Sequence, residues 1–278
     1  MPGTTPGTMP ELPEVETTLR GITPHLKNQQ IEAVKVTQSQ LRWPVSAELK
    51  TLTPLTVLSL RRRAKYLIIS TDTGHIIIHL GMSGSLRIVN HDEPRRKHDH
   101  VEFRLSSGKL MRYHDPRRFG AVLWTADSAD THALIKKLGP EPLDKQFDNE
   151  HLHRATRKRK VAIKNLIMDS HVVVGVGNIY ASESLFLAGV RPGLAAGRIT
   201  HAQASKIVAA IKQVLTVAIE QGGTTLRDFV NSDGAPGYFQ QTLNVYGRTG
   251  EPCRHCKAQI KTKTIGQRST FYCPNCQH

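Results

Sequence analysis

Residues 56–89, TVLSLRRRAKYLIISTDTGHIIIHLGMSGSLRIV, decide what kind of fold this chain adopts. Short runs rich in Val, Ile, Leu and Thr are broken by TDTG and MSG, the composition of strands joined by tight turns. The same rhythm continues through HVEFRLSS, KLMRYH and FGAVLWT, with SSGK and DPRR between them. The region from about Ile31 to Thr125 thus reads as seven closely spaced strands, which points to an antiparallel sandwich or barrel.

Toward the N-terminus lies MPELPEVETTLRGI, beginning at Met9. Pro13 and the acids after it suit the first turn of a helix, with Val15, Leu19 and Ile22 as its buried stripe. The residues ahead of it, MPGTTPGT (1–8), carry no apolar period and read as a disordered leader or a mis-assigned start.

Toward the C-terminus the Pro- and acid-containing LGPEPLDKQFDNEHL reads as an interdomain connection, after which the pattern turns helical. THAQASKIVAAIKQVLTVAIEQGG places Ala204, Ile207, Val208, Ile211, Leu215 and Ala218 on one face, between a Thr200/Gln203 capping box and Gly222. Upstream, Asn178 is expected to cap a helix running to about Gly189. Such a helix start offers free N–H groups and positive dipole to a phosphate. RATRKRKVAIK adds Arg154, Arg157, Lys158, Arg159, Lys160 and Lys164, which form either a solvated basic face or a phosphate-binding one.

The last stretch holds all four cysteines, Cys253, Cys256, Cys273 and Cys276, as two CxxC pairs sixteen residues apart. This is the spacing of four thiolates closing a tetrahedral zinc site on a β-hairpin; two disulfides are the alternative. With every ligand position filled, the expected single Zn2+ is structural, and so small a hairpin needs it to fold. Chemistry must lie elsewhere.

Composition narrows the partners. Lys plus Arg outnumber Asp plus Glu by 38 to 23 in 278 residues, a formal charge of +15. The resulting pI of about 9.9 points to a polyanion, with nucleic acid the leading candidate. Hydrophobic residues at 38% suffice for packed cores. No run approaches the ~18 apolar residues of a membrane span, and no basic-then-apolar secretion signal opens the chain. The expectation is a monomer in the cytoplasm or nucleoid, without a membrane.

Met-Pro-Glu acquires a meaning if translation starts at Met9. Removal of that Met leaves Pro10 as a secondary amine whose pKa, about 7.7–8.0 for an α-amino group against about 10.4 for Lys, keeps a usable neutral fraction at pH 7. Attack on an aldehyde carbon gives a permanently cationic iminium, an electron sink, and Glu11 could move the protons. If the chain instead starts at Met1, the Pro10 nitrogen is a tertiary amide and this chemistry is closed.

MPELPEVETTLRGI, RRRAKYL, IIIHLGMSGSLRI, KHDHVEF, YHDPRRFGA, LGPEPL, VVGVGNIYASESLF, QGGTTLRDF, SDGAPGYF, VYGR and GQRSTFYC, with the four cysteines, together resemble bacterial formamidopyrimidine-DNA glycosylases from Met9 to the C-terminus. PELPE favours this purine-specific branch over the endonuclease VIII group. The resemblance implies an α+β fold: an N-terminal antiparallel β-sandwich domain (9–135, with its leading helix), a connection (136–153), a helix-two-turn-helix domain (154–245) and a zinc hairpin (246–278), with damaged double-stranded DNA between them. It implies excision of oxidised purines such as 8-oxoguanine and formamidopyrimidines, then strand cleavage by β,δ-elimination.

Residue by residue, Pro10 resembles the Schiff-base nucleophile and Glu11 its acid-base partner, Lys65 the lysine of lesion handling and β-elimination, and Arg268 the hairpin arginine of δ-elimination. Met82, Arg117 and Phe119 resemble the side chains that fill the void left by a flipped base, Arg117 facing the orphaned cytosine. His98, Arg159, Lys164 and Asn178 resemble backbone contacts, and NSDGAPGYF a mobile lid. The rival expectation is a catalytically silent damage-binding protein on the same fold, should the leader block Pro10.

Overall fold

In a computed structural model that describes residues 10–222 and 243–278, the chain divides into two compact units. The first comprises 10–136 with 221–222, the second 137–220 with 243–278. The expected leader (1–8) and lid (231–239) lie outside the described residues.

The first unit opens with α1 (Leu12–Leu26), whose Val15, Ile22 and Leu26 are fully buried. Eight strands follow: β1 (Gln30–Val36), β2 (Leu55–Arg63), β3 (Tyr66–Thr71), β4 (His75–His79), β5 (Ser85–Asn90), β6 (Asp99–Leu105), β7 (Lys109–His114) and β8 (Ala121–Thr125). They form one antiparallel ladder in the order β5-β7-β6-β1-β2-β3-β4-β8. Its middle joint is weak: β1 and β2 share only Gln30↔Thr56 and Ile31↔Leu55. The ladder therefore folds over there into two four-stranded halves. Val34, Leu86, Val101 and Phe103 from one half share a core with Leu67, Ile69, Ile76, Ile78 and Val122 from the other, which makes the unit a sandwich. Burying each such side chain contributes about 1.5–3 kcal/mol.

Seven strands were expected and eight form; the additional one, β1, is the strand at the fold-over. Its register slips at a bulge between Ile31 and Ala33, so its buried residues do not alternate.

The second unit contains α2 (Asn149–Thr156), α3 (Ile163–Ile167), α4 (Asn178–Leu187), α5 (His201–Glu220) and a hairpin of β9 (Lys261–Ile265) and β10 (Arg268–Tyr272). At the start of α5 the expected box closes: Thr200 N–H donates to Gln203 Oε1 at 3.0 Å and Gln203 N–H to Thr200 Oγ1 at 3.2 Å. All six residues of the expected apolar face are buried. Two expectations need correction. Gly177, in extended backbone, takes the N-cap of α4, so Asn178 is its first helical residue and its side chain is released for other partners. And α5, at 20 residues with mean hydropathy 1.3, is long and apolar enough to cross a membrane by composition alone. Its apolar face packs on α2 and α4, as a core helix does.

Candidate active site

Pro10 is buried and sits immediately before the α1 capping box. The Glu11 side chain accepts the Glu14 N–H, and the Glu14 carboxylate accepts the Glu11 N–H at 2.9 Å. Both carboxylates are buried, Glu11 at 2% and Glu14 at 0% exposure, so the backbone beside Pro10 is fixed from two directions. Arg62 on β2 bonds Glu16 of α1 at 3.0 Å, securing the helix against the strand that leads into Lys65. Lys65 lies at the tip of the β2–β3 hairpin, after Ala64 at φ 54° and inside the closing Arg63↔Tyr66 pair.

Lys65 has a neighbour that the sequence reading missed. Burial first, then the Lys65 and Arg42 cations, push His79 down to about 4, so its ring is neutral at pH 7. Its Nδ1 accepts the Gly81 N–H at 3.0 Å, which puts the ring proton on Nε2. The result is a fixed, uncharged donor beside a lysine.

Met82 is half-buried in the β4–β5 turn, while Arg117 and Phe119 project from the β7–β8 turn, Phe119 at 44% exposure. The Arg117 guanidinium lies 5.1 Å from the Phe119 ring centroid. Next to them His98 lines a surface concavity of about 380 Å3 together with Thr37, Gln38, Lys97, His100 and Arg118. Arg118, held at φ 57°, is a second missed residue; DPRRFG offers two arginines, and only the turn geometry separates their directions.

In the second unit, Arg159 is exposed, as a phosphate contact requires. Lys164 differs from its expectation. It is fully buried, and its Nζ donates to Asn178 Oδ1 at 2.5 Å, Thr270 Oγ1 at 2.7 Å and Ser269 O at 3.3 Å. Asn178 Nδ2 also donates to Ser269 O, at 3.1 Å. This buried ammonium joins α3, the first residue of α4 and β10, directly beside Arg268. Arg268 is exposed after the two-residue turn Gly266-Gln267, with φ of 55° and 61°. A Cβ at position 266 would sit 2.4 Å from the Asn165 amide, so the turn needs glycine for its conformation and for its fit against α3.

The hairpin base holds Cys253, Cys256, Cys273 and Cys276, whose Sγ atoms all lie within 4.8 Å of one another. The Cys253–Cys276 and Cys256–Cys273 separations are 3.8 and 3.5 Å. Four Zn–S bonds of about 2.3 Å in a tetrahedron put sulfurs about 3.8 Å apart, so the set fits one structural zinc with no open position. Burial raises the Cys253 thiol, but N–H donors from Cys256 and His255 outweigh it and bring it down to about 7, while burial raises Cys273 and Cys276, so the four sulfurs need a cation among them to ionise together. Around the knuckles Phe186, Val245 and Ile260 form a small core. Glu183, also missed by sequence reasoning, anchors the segment 244–246 that enters it. Its Oε2 accepts Asn244 N–H (2.8 Å) and Nδ2 (3.1 Å), and its Oε1 accepts Val245 and Tyr246 N–H (both 2.9 Å).

Three family models match along the chain: the formamidopyrimidine-DNA glycosylase N-terminal domain at residues 9–122, its H2TH domain at 138–230, and a zinc finger found in FPG and IleRS at 250–278. The formamidopyrimidine-DNA glycosylase of Thioalkalivibrio sulfidiphilus is 60% identical over 270 residues, covering 97% of this chain and 100% of that protein. That of Pectobacterium atrosepticum is 59% identical over 269 residues, with the same coverage. Among solved structures, the MutM (FPG) protein of Thermus thermophilus superposes with a TM-score of 0.87 at 34% identity, covering 96% of this chain and 98% of that one. A Lactococcus lactis FPG mutant in complex with Fapy-dG containing DNA gives 0.89 at 34% identity, covering 97% and 100%. With the whole length of its relatives matched at this identity, and with the sandwich, the helical unit and the four-thiol hairpin in place, the chain belongs to the formamidopyrimidine-DNA glycosylase family.

Proposed function

We propose that this protein is a base-excision repair glycosylase that removes oxidised purines from duplex DNA and then cleaves the strand at the abasic site. The observation that carries the reading is Pro10-Glu11 at a rigidly capped helix start, in a chain 60% identical to a formamidopyrimidine-DNA glycosylase over its whole length. The Pro10 amine attacks C1′ of the damaged nucleotide. The base departs with its bonding electron pair and receives a proton, and opening of the sugar leaves a Pro10 iminium at C1′. That cation withdraws electrons, so a 2′ proton is lost and the 3′ phosphate leaves; a second elimination releases the 5′ phosphate. Glu11 transfers protons in these steps, Lys65 acts in lesion handling and β-elimination, and Arg268 stabilises charge on the departing phosphate. Arg159, His98 and Asn178 hold the DNA backbone, Asn178 under the control of Lys164. Met82, Arg117 and Phe119 occupy the space of the flipped base. The active form works as a monomer in the cytoplasm and carries one zinc.

The mechanism requires Pro10 to be the first residue of the active chain, and nine residues precede it in the sequence. Protein prepared to start at Pro10 should, with borohydride, yield a covalent adduct on duplex carrying 8-oxoguanine opposite cytosine. Glu11→Gln should suppress the adduct. Absence of any adduct from the Pro10 form would refute the mechanism, whereas an adduct from the Pro10 form but none from the full 278-residue chain, with damage binding retained, would select the silent damage-binding reading for the chain that keeps its leader.

A further inference from the structure

We propose that Asp115 is a positioning residue: through Ser83 it locks the β4–β5 and β7–β8 turns, which carry Met82, Arg117 and Phe119, into one preassembled wedge. The inference rests on the void-filling reading of those three side chains and adds what sets their geometry.

Asp115 is fully buried, and each carboxylate oxygen serves a different part of the assembly. Oδ1 accepts the Ser83 hydroxyl at 2.7 Å, and the Ser83 oxygen in turn accepts the Arg117 N–H at 3.1 Å. Oδ2 accepts the Gly120 N–H at 2.9 Å and the Tyr113 hydroxyl at 3.1 Å. The Asp115 carbonyl accepts the Arg118 N–H at 3.2 Å. One residue therefore governs the backbone immediately before Arg117 and on both sides of Phe119, and it reaches across to the residue after Met82. The acceptors at its centre are withdrawn from water, Asp115 fully and Ser83 at 7% exposure. A buried donor or acceptor left without its partner is costly, so the two turns are held to one arrangement.

Steric fit supports the same conclusion. A Cβ on Gly81 would lie 2.4 Å from the Phe119 carbonyl carbon, and one on Gly120 would lie 1.7 Å from the Tyr113 hydroxyl and 2.4 Å from the His79 carbonyl oxygen. The two turns thus touch backbone to backbone. Their tips remain outside: Arg117 and Phe119 are exposed and already in contact with each other, while Ser83, Tyr113 and Asp115 beneath them are paired. A wedge ordered before it meets DNA does not need to be ordered on binding, which is where preorganisation acts.

Ser83→Ala is the central test. It removes the hydroxyl that links Asp115 to the Arg117 N–H and leaves Asp115 two of its three donors. The assay compares excision of 8-oxoguanine opposite cytosine and opposite adenine, with kcat and KM separated, below each variant's melting temperature. A good base-edge contact discriminates by about 1–3 kcal/mol, so Ser83→Ala should lower the cytosine preference about tenfold, while affinity for undamaged duplex stays within twofold. Asp115→Asn should act in the same direction. With its amide oxygen on Gly120 and Tyr113, its NH2 faces Ser83, whose hydroxyl then accepts two N–H groups and donates to none. In the Ser83→Ala/Arg117→Ala double variant the loss should equal that of Arg117→Ala alone, because Ser83 acts through Arg117. If Arg117→Ala keeps the opposite-base preference, the void-filling reading itself falls. If Arg117→Ala loses it while Ser83→Ala and Asp115→Asn keep it, or if the double variant is additive, the positioning role of Asp115 is refuted and the void-filling reading stands.

Discussion

Replacing Glu183 by Gln changes no volume and no shape, only the acceptor count of a buried carboxylate, and should loosen the zinc hairpin. Four N–H groups from three consecutive residues converge on Glu183. The amide oxygen of Gln can keep Val245 and Tyr246, but its NH2 then faces the Asn244 N–H. The Asn244 side chain can turn its own oxygen to meet that NH2; its backbone N–H cannot. One buried donor without an acceptor costs about 1–3 kcal/mol, and the two retained bonds each lose about 1 kcal/mol when the charge is removed. The easier desolvation of a neutral amide returns part of this, leaving a net loss of about 2–4 kcal/mol. Phe186, less than one turn after Glu183 on α4, shares its small core with Val245, Cys253 and Cys273, so the loosening reaches the metal ligands. Thermal unfolding and the rate at which a chelator removes zinc should both report it: a lower melting temperature, zinc release faster by an order of magnitude or more, and weaker binding of damaged duplex. Glu183→Gln protein that melts within a degree of the wild type and gives up zinc at the same rate would refute the assignment of Glu183 as the anchor.

Two further outcomes follow from buried groups. Lys164→Met should weaken binding of damaged and undamaged duplex by about tenfold while changing the slope of log K against log salt by well under the ~0.9 of one neutralised phosphate, whereas Arg159→Ala should lower the slope by about that amount; salt titrations distinguish them, and a full unit lost with Lys164→Met would mean that its ammonium meets a phosphate directly. His79, near 6.5 when unfolded and about 4 when folded, binds more protons in the unfolded chain, so its contribution is complete above pH 6.5 and is lost as pH falls toward 4. The loss amounts to about 3 kcal/mol, and urea unfolding at several pH values should show a shallower acid decline for His79→Asn, whose amide oxygen can still accept the Gly81 N–H.

The parts of the molecule that were legible in the sequence are those whose cause is local. The α5 box and apolar face need only residues three and four apart, and the four cysteines identify their site by spacing. β1 escaped notice because QIEAVKV carries a bulge, which destroys the two-residue period by which a strand is recognised. The burial of Lys164 was illegible for a different reason. It sits in a basic run that resembles a solvated face, and the acceptors that bury it, Ser269 and Thr270, are more than a hundred residues away. Asn178 has the right chemistry for a cap, yet Gly177 takes that position because its neighbour is committed to Lys164 and β10. His79, Asp115 and Glu183 share one trait: each is defined by a residue far along the chain that only the tertiary fold brings near, Lys65 and Arg42 for His79, Ser83 for Asp115 and Asn244 for Glu183.

The reciprocal box between Glu11 and Glu14 has a kinetic meaning for the residue ahead of it. Chain ends are ordinarily among the most mobile parts of a protein. A nucleophile carried on such an end would spend most of its time away from the reacting carbon, and each turnover would bear the entropy of bringing it back. Here the two carboxylates hold the backbone next to Pro10 to the first turn of a helix whose other face is embedded in the sandwich core. In the proposed reading, where the active chain starts at Pro10, the translational and rotational freedom of the amine is surrendered once, when the domain folds, and its effective concentration at the lesion is a property of the native state rather than of each encounter.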